Sequence, residues 1–232
     1  MDKEVKSILI GVPSAREDER FLASLSNLIK EMKGRYKVGV IVEKWKFLPS
    51  AQNSIADYFL ANNYDYLLFL DDDHSGHTVG MVDALIKADA YMATMKTYIR
   101  YFPYPVGLFK RHQDRFVSHD QPLGYAQVDM TGFPMTLLRR DLFEQIQRPF
   151  FEPENDGQRD WCTDVPFCRK LEKVGIKPVG CYDFCLDHDE VTAENVNDLR
   201  EKNAKKWIDR FRIMRAFPST KSNPNGETVK KE

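Results

Sequence analysis

Three consecutive carboxylates, Asp71, Asp72 and Asp73, follow directly on the apolar run Tyr66 to Leu70. At the end of a buried strand they repel one another. A hard divalent cation with oxygen ligands relieves that repulsion and keeps positions open for a phosphate-bearing substrate. The same three residues also suit a solvated acidic turn, because like charges in an exposed loop cost little. A calcium-binding EF-hand loop does not fit, since the twelfth position after Asp71 is Val82 rather than Glu. His74 and His77 stand beside the triplet as H-x2-H, either touching the metal or substrate or, as the commoner case, standing in the loop as solvent-exposed histidines. Asp164 opens an amphipathic segment, where the dipole of a helix keeps a carboxylate ionised, as a general base requires. On these residues alone a simple capping role suits that position better. The four cysteines, Cys162, Cys168, Cys181 and Cys185, are spaced C-x5-C and C-x3-C, unlike the C-x2-C knuckles of structural zinc, and read as reduced, partly buried thiols.

These groups need a scaffold, and the hydrophobic pattern supplies one. Val5 to Val12 reads as a buried strand stopped by Pro13, and Tyr36 to Glu43 as a second strand. Between them Phe21, Leu25, Leu28, Ile29 and Met32 recur at helical spacing. Pro49 starts a helix carrying Ile55, Tyr58, Phe59 and Leu60. Met81 to Lys87 suggests a further helix and Ala90 to Thr97 a further strand. This alternation predicts an α/β fold with a mostly parallel sheet flanked by helices, in which ligands sit at the carboxyl ends of the strands. The Asp triplet, Ser14 and Glu43 all fall there. Tyr98 to Tyr125 suggests hairpins, Arg140 to Ile146 a short helix, Asp164 to Val174 a helix closed by Gly175, and Ile176 to Phe184 a late strand. A long helix is expected over Ala193 to Met214. The last fifteen residues, from Pro218, contain no core formers and are expected to be disordered.

With 34 basic and 35 acidic side chains the formal net charge is -1, which argues against a dedicated DNA-coating or acidic-lipid protein. The first segment has too few apolar residues for a secretion signal or a membrane span, so a cytoplasmic location is expected. Charge is nonetheless concentrated locally. Arg200, Lys202, Lys205, Lys206, Arg210, Arg212 and Arg215 face only Glu201 and Asp209, either as a solvated helix face or as an attraction for a polyanion.

The chain resembles the GT-A glycosyltransferases, specifically the compact family-2-like enzymes of bacteria and bacteriophages. Four pieces carry the resemblance in order: Leu70-Asp71-Asp72-Asp73, Val128-Asp129-Met130-Thr131-Gly132-Phe133, Trp161-Cys162-Thr163-Asp164-Val165-Pro166-Phe167-Cys168, and Leu186-Asp187-His188. It spans about residues 5 to 190 and implies a GT-A domain over 1–190, followed by a helical extension over 191–217 and a tail over 218–232. It further implies Mn²⁺ or Mg²⁺ held by Asp71, Asp73 and His188, and Asp164 as catalytic base. Pro13, Ser14, Arg16, Glu43, Asn53 and Asp72 stand where the nucleotide is contacted. Asp129, Thr131, Gly132, Phe133 and Trp161 stand on the sugar and acceptor side. Two positions depart from the family pattern: Thr163 replaces a glutamate, and Gln52 replaces an arginine that could meet the diphosphate.

The implied reaction moves a sugar from a nucleoside-diphosphate sugar to an acceptor hydroxyl, with inversion. The acceptor is a saccharide or a hydroxymethylated base in DNA. Two rivals remain at this point: a nucleotidyltransferase acting on a sugar phosphate, and a noncatalytic sugar- or nucleic-acid-binding module. The single glycine in Gly11 to Arg16 weakens the former, and the acids at 71, 73 and 164 weaken the latter.

Overall fold

The computed structural model describes residues 5–101, 103–113, 115–155, 157 and 160–204. In chain order the elements are β1 (Ser7–Ser14), α1 (Glu19–Met32), β2 (Lys37–Lys44), α2 (Leu48–Ala61), β3 (Tyr66–Leu70), β4 (His74–Ser75), α3 (Val79–Lys87) and β5 (Met92–Thr97). There follow β6 (Leu108–His112), β7 (Arg115–Ser118), β8 (Tyr125–Gln127), β9 (Met130–Thr131), β10 (Met135–Arg139), α4 (Leu142–Gln145), β11 (Glu154–Asn155), β12 (Asp160–Trp161), α5 (Asp164–Lys173) and β13 (Val179–His188).

The main sheet runs β2-β1-β3-β10-β5-β13-β4, with β8 added on β13. Its β1–β2, β1–β3 and β5–β13 pairings are parallel, whereas β10 lies antiparallel between β3 and β5. The architecture is thus the mixed α/β arrangement that the alternating pattern predicts, and β6, β7 and β9 form a small antiparallel sheet beside it.

Alternation along the central strands sorts the core into two layers. Ile8, Ile10, Val12, Leu68 and Leu70 meet Phe21, Leu25, Leu28 and Met32 of α1 and Met81, Val82 and Leu85 of α3. On the opposite face Leu9, Leu67 and Phe69 meet Ile55 and Phe59 of α2, with Phe143, Phe167 and Leu171 from α4 and α5. α2 lies so close to the sheet that a β-carbon on Gly11 would come within 2.5 Å of Ile55 Cγ2, which is why no side chain stands there. A third cluster joins Tyr98, Val106, Leu108 and Tyr182 to Val191 and Val196.

Several boundaries move from their expected places. β1 continues through Pro13 to Ser14, because β3 pairs only as far as Gly11 and leaves Pro13 a neighbour on one side alone. β2 is the edge strand, so Val40 and Val42 stay exposed, and Tyr58 of α2 faces solvent too. β13 extends beyond Phe184 to His188. Residues 196–204 are helical, and the expected helix beyond Ala204, with most of the basic face to Arg215 and the tail from Pro218, lies outside the described residues. Among the described residues no helix is long and apolar enough to cross a membrane.

Candidate metal and substrate site

β3 delivers the Asp triplet to the carboxyl edge of the sheet, and the three side chains then diverge. Asp72 turns toward β1. Its Oδ2 accepts from the amides of Ala15 and Arg16 at 2.8 and 3.0 Å and from the Ser14 hydroxyl at 3.2 Å. Asp71 and Asp73 turn instead into a cavity of about 210 Å³, where they meet His74, Asp164 and His188. The opposite wall is apolar, built from Ile99, Phe109, Met130 and Phe133.

The seam between β4 and β13 makes the polar wall. These strands pair antiparallel with His74 opposite His188, which places the two imidazoles on one face. The rings stack with centroids 4.2 Å apart and planes inclined at 22°. Asp73 reaches both: Oδ1 lies 2.7 Å from His74 Nδ1 and Oδ2 lies 3.2 Å from His188 Nε2. Among the described residues, Asp73, His74 and His188 are the group with ligand atoms close enough to share a metal ion, all within 4.8 Å of one another.

The donor set suits a divalent cation. His188 Nδ1 lies 2.8 Å from the Tyr98 carbonyl, which can only accept, so Nδ1 carries a proton and Nε2 is the nitrogen turned toward Asp73. A carboxylate oxygen and an imidazole nitrogen this close share either a proton or a metal ion. His74 is 5% exposed, yet neither ring nitrogen makes an aligned hydrogen bond, although Nδ1 is close to Asp73. An unsatisfied buried imidazole calls for an explanation, and ligation supplies one. Two imidazoles with one carboxylate suit a first-row transition ion better than Mg²⁺, which prefers oxygen ligands.

The electrostatics separate the acids. Burial drives the Asp71 carboxyl well above its ordinary range, and the negative charges of Asp73, Asp164 and Asp72 push it the same way. Burial would also raise Asp73, but the His188 and His74 imidazoles beside it outweigh burial and hold this carboxyl far below its ordinary range. Asp164 lies in the first turn of α5, with Oδ1 accepting from the Val165 amide at 2.9 Å. Burial nevertheless raises its pKa, so desolvation outweighs the dipole that was expected to keep it low. A base raised toward neutrality is the stronger proton acceptor.

The structure brings together Asp71, Asp73, His188, Asp164, Thr131, Gly132 and Phe133 around one cavity. The compact group of possible ligands is Asp73, His74 and His188, with Asp71 lining the same cavity. Both histidines after the triplet are buried rather than solvent-exposed: His77 is 3% exposed, bonded to the Ser24 hydroxyl, and pushed by burial down to about 3. The H-x2-H spacing was the only local sign that His74 joins this group.

The other expected contacts lie outside this cavity. Asn53 is saturated by backbone, donating to the Pro49 and Phe151 carbonyls and accepting from the Phe150 and Phe151 amides. Glu43 binds Ser54 and Lys46, and Pro13 pairs with Glu43 across β1 and β2. Asp129 accepts from the Arg111 amide and from Lys177 at 2.7 Å each. Trp161 lies under the guanidinium of Arg169. Arg16 reaches from its loop to Asp189, 2.6 Å away. All four cysteines are free, and burial pushes Cys168 to about 12 and Cys185 to about 11, which leaves those two thiols inert.

No protein-family model matches the sequence, and no curated protein matches it. Solved structures do. A197 from STIV is similar over 75% of this chain and 81% of its own, with a TM-score of 0.53 and 17% identity. CMP:2-keto-3-deoxy-manno-octonic acid synthetase complexed with CTP overlaps 87% of this chain and all of its own at a TM-score of 0.46 and 12% identity. A candidate nucleotide-diphospho-sugar transferase from Desulfovibrio desulfuricans G20 overlaps 86% of this chain and 96% of its own at 0.45 and 10%. The likeness to A197 is one of fold.

Proposed function

We propose that this protein is a metal-dependent glycosyltransferase that moves a sugar from a nucleoside-diphosphate sugar to an acceptor hydroxyl with inversion. One observation carries the reading: Asp71, Asp73 and His74 from one stretch, with Asp164 and His188 from two distant ones, line a single cavity whose other wall is apolar. A nucleophile-activating base and a charge-stabilising cluster facing one enclosed space suit transfer chemistry better than passive binding.

Asp73, His74 and His188 hold the cation, Mn²⁺ in preference to Mg²⁺, and when bound it supplies positive charge against the departing diphosphate. Tyr98 keeps His188 in the tautomer that presents Nε2. Asp164 takes the proton of the acceptor hydroxyl as the new bond forms, and its raised pKa suits that transfer. Asp71 lines the same cavity, and a bound cation would favour its ionised form, which burial and the neighbouring acids otherwise oppose. Phe109, Phe133 and Met130 exclude water, which would otherwise compete with the acceptor. Gly132 leaves room beside the base, since a β-carbon there would stand 3.9 Å from Asp164 Oδ2.

The test incubates the protein with Mn²⁺, mixed nucleotide-sugars and two acceptor pools, saccharides and hydroxymethylated DNA, and analyses products by mass spectrometry. Glycosylated acceptor with released nucleoside diphosphate is expected. Release of pyrophosphate would mean nucleotidyl transfer instead, and turnover that survives both Asp73→Ala and Asp164→Asn would overturn the assignment.

A further inference from the structure

A second cavity, of about 420 Å³, opens next to the first and is lined by Arg16, Arg20, Arg100, Tyr104 and Asp189 among others. Its centre is one carboxylate held by two guanidinium groups. Asp189 Oδ1 lies 2.6 Å from Arg16 Nη2, and Oδ2 lies 2.8 Å from Arg100 Nη1. Arg20 adds a bond to the Asp189 carbonyl at 3.0 Å. Arg100 also stands 3.6 Å from Asp73 Oδ2, so this cavity and the metal group share a boundary.

Three features set Asp189 apart from an ordinary salt-bridge partner. Its backbone is left-handed at φ 53, which favours glycine and is uncommon for other residues. Its amide donates to the Asp73 carbonyl at 2.9 Å, so the metal-site loop itself fixes where the carboxylate projects. The two arginines are not exhausted by it. Arg16 uses Nε on the Asp72 carbonyl and Arg100 uses Nε on the Tyr101 hydroxyl. Arg16 Nη1 and Arg100 Nη2 have no hydrogen-bond partner among the described residues, and both side chains are 39% exposed. Two planar forks with spare donors, converging on one anion beside a cation site, match the geometry of a phosphate better than that of a single carboxylate. Asp18 and Glu190 also border the space, but Asp18 is occupied in capping α1 through the Phe21 amide.

We propose that Arg16 and Arg100 form the receiving pair for the diphosphate of the donor, with the Asp189 carboxylate as a built-in stand-in that holds them apart at the right spacing and gives way when the phosphate arrives. The idea rests on the glycosyl-transfer reading for the identity of the ligand. The carboxylate keeps two exposed arginines ordered before binding, which lowers the entropy lost on association.

The test is calorimetric titration of inorganic pyrophosphate onto the full chain with saturating Mn²⁺, for the unmodified protein, Arg16→Gln, Arg100→Gln and Asp189→Asn, with Mn²⁺ affinity and thermal melting recorded for each. The expected result is at least about tenfold weaker pyrophosphate binding for either arginine variant at unchanged Mn²⁺ affinity, and equal or tighter binding for Asp189→Asn. Pyrophosphate binding that ignores both arginine changes would overturn the proposal, and so would loss of binding in Asp189→Asn. Should the glutamine variants melt early, Arg16→Lys and Arg100→Lys replace them, and Asp189→Asn alone still decides. Arginine-dependent pyrophosphate binding without any sugar transfer would sink the proposed function and leave this inference standing. Sugar transfer with arginine-independent binding would do the reverse.

Discussion

Two groups of polar side chains have opposite fates, and in the Asp triplet members of both are neighbours. Asp72 after β3, Asn53 in α2 and Asp129 before β9 each bind several partners, most of them backbone amides. Around the β4–β13 seam, Asp71 is crowded by like charges, His74 lacks an aligned partner, and Asp73 lies between two imidazoles. The first group is satisfied within the protein. The second is left short, and under the proposed function a cation and a substrate would complete it. Adjacent members of one Asp triplet thus serve different ends, decided by where their side chains turn.

Breaking the unsatisfied group should hurt activity far more than stability. Asp164→Asn is expected to lower kcat by about 10²–10⁴-fold while leaving Mn²⁺ affinity and melting temperature nearly unchanged, measured by turnover and calorimetry. Because the base works only deprotonated and burial has raised its pKa, activity should fall on the acid side at a pH above the ordinary carboxylate range. A kcat/KM profile with an acid limb near 4 or below would contradict this. Asp73→Ala should reduce turnover by about 10²–10³-fold and abolish tight Mn²⁺ binding.

Breaking the satisfied group should do the opposite. Asn53→Ala strands buried amides of Phe150 and Phe151 and should cost about 1–3 kcal/mol, lowering the melting temperature by several degrees with the metal site intact. The smallest effect sharpens the contrast most. Asp71→Asn removes a charge that the site repels, so in the absence of metal it should raise the melting temperature at pH 7. The sign follows from linkage: a carboxyl raised in the folded state favours folding below its unfolded pKa and loses that advantage as pH climbs through the folded value. The gain should shrink when Mn²⁺ is added. A drop in melting temperature without metal would show that Asp71 belongs with the satisfied group.

Much of the scaffold could be read locally. The apolar run Tyr66 to Leu70 is β3 to the residue, and α1 buries Phe21, Leu25, Leu28 and Met32 as their spacing requires. Gly175, at φ 75, closes α5 where the helical pattern stops. The site was legible where chemistry lies next to a strand end, as at Asp73 and His188. It was not legible where pairing across the chain decides. β4 is only two residues long, yet its pairing with β13 lays His74 on His188. Asn53 is claimed by a segment nearly a hundred residues away. β10 carries an ordinary apolar run, and nothing within it says that it inserts antiparallel between β3 and β5.

The most direct measurement of the central claim is pulsed electron paramagnetic resonance of the protein titrated with Mn²⁺. One ion per chain is expected, coupled to two imidazole nitrogens, falling to one nitrogen in His74→Ala and to no bound ion in Asp73→Ala. A Mn²⁺ spectrum without nitrogen coupling, or one unchanged in those variants, would contradict the account.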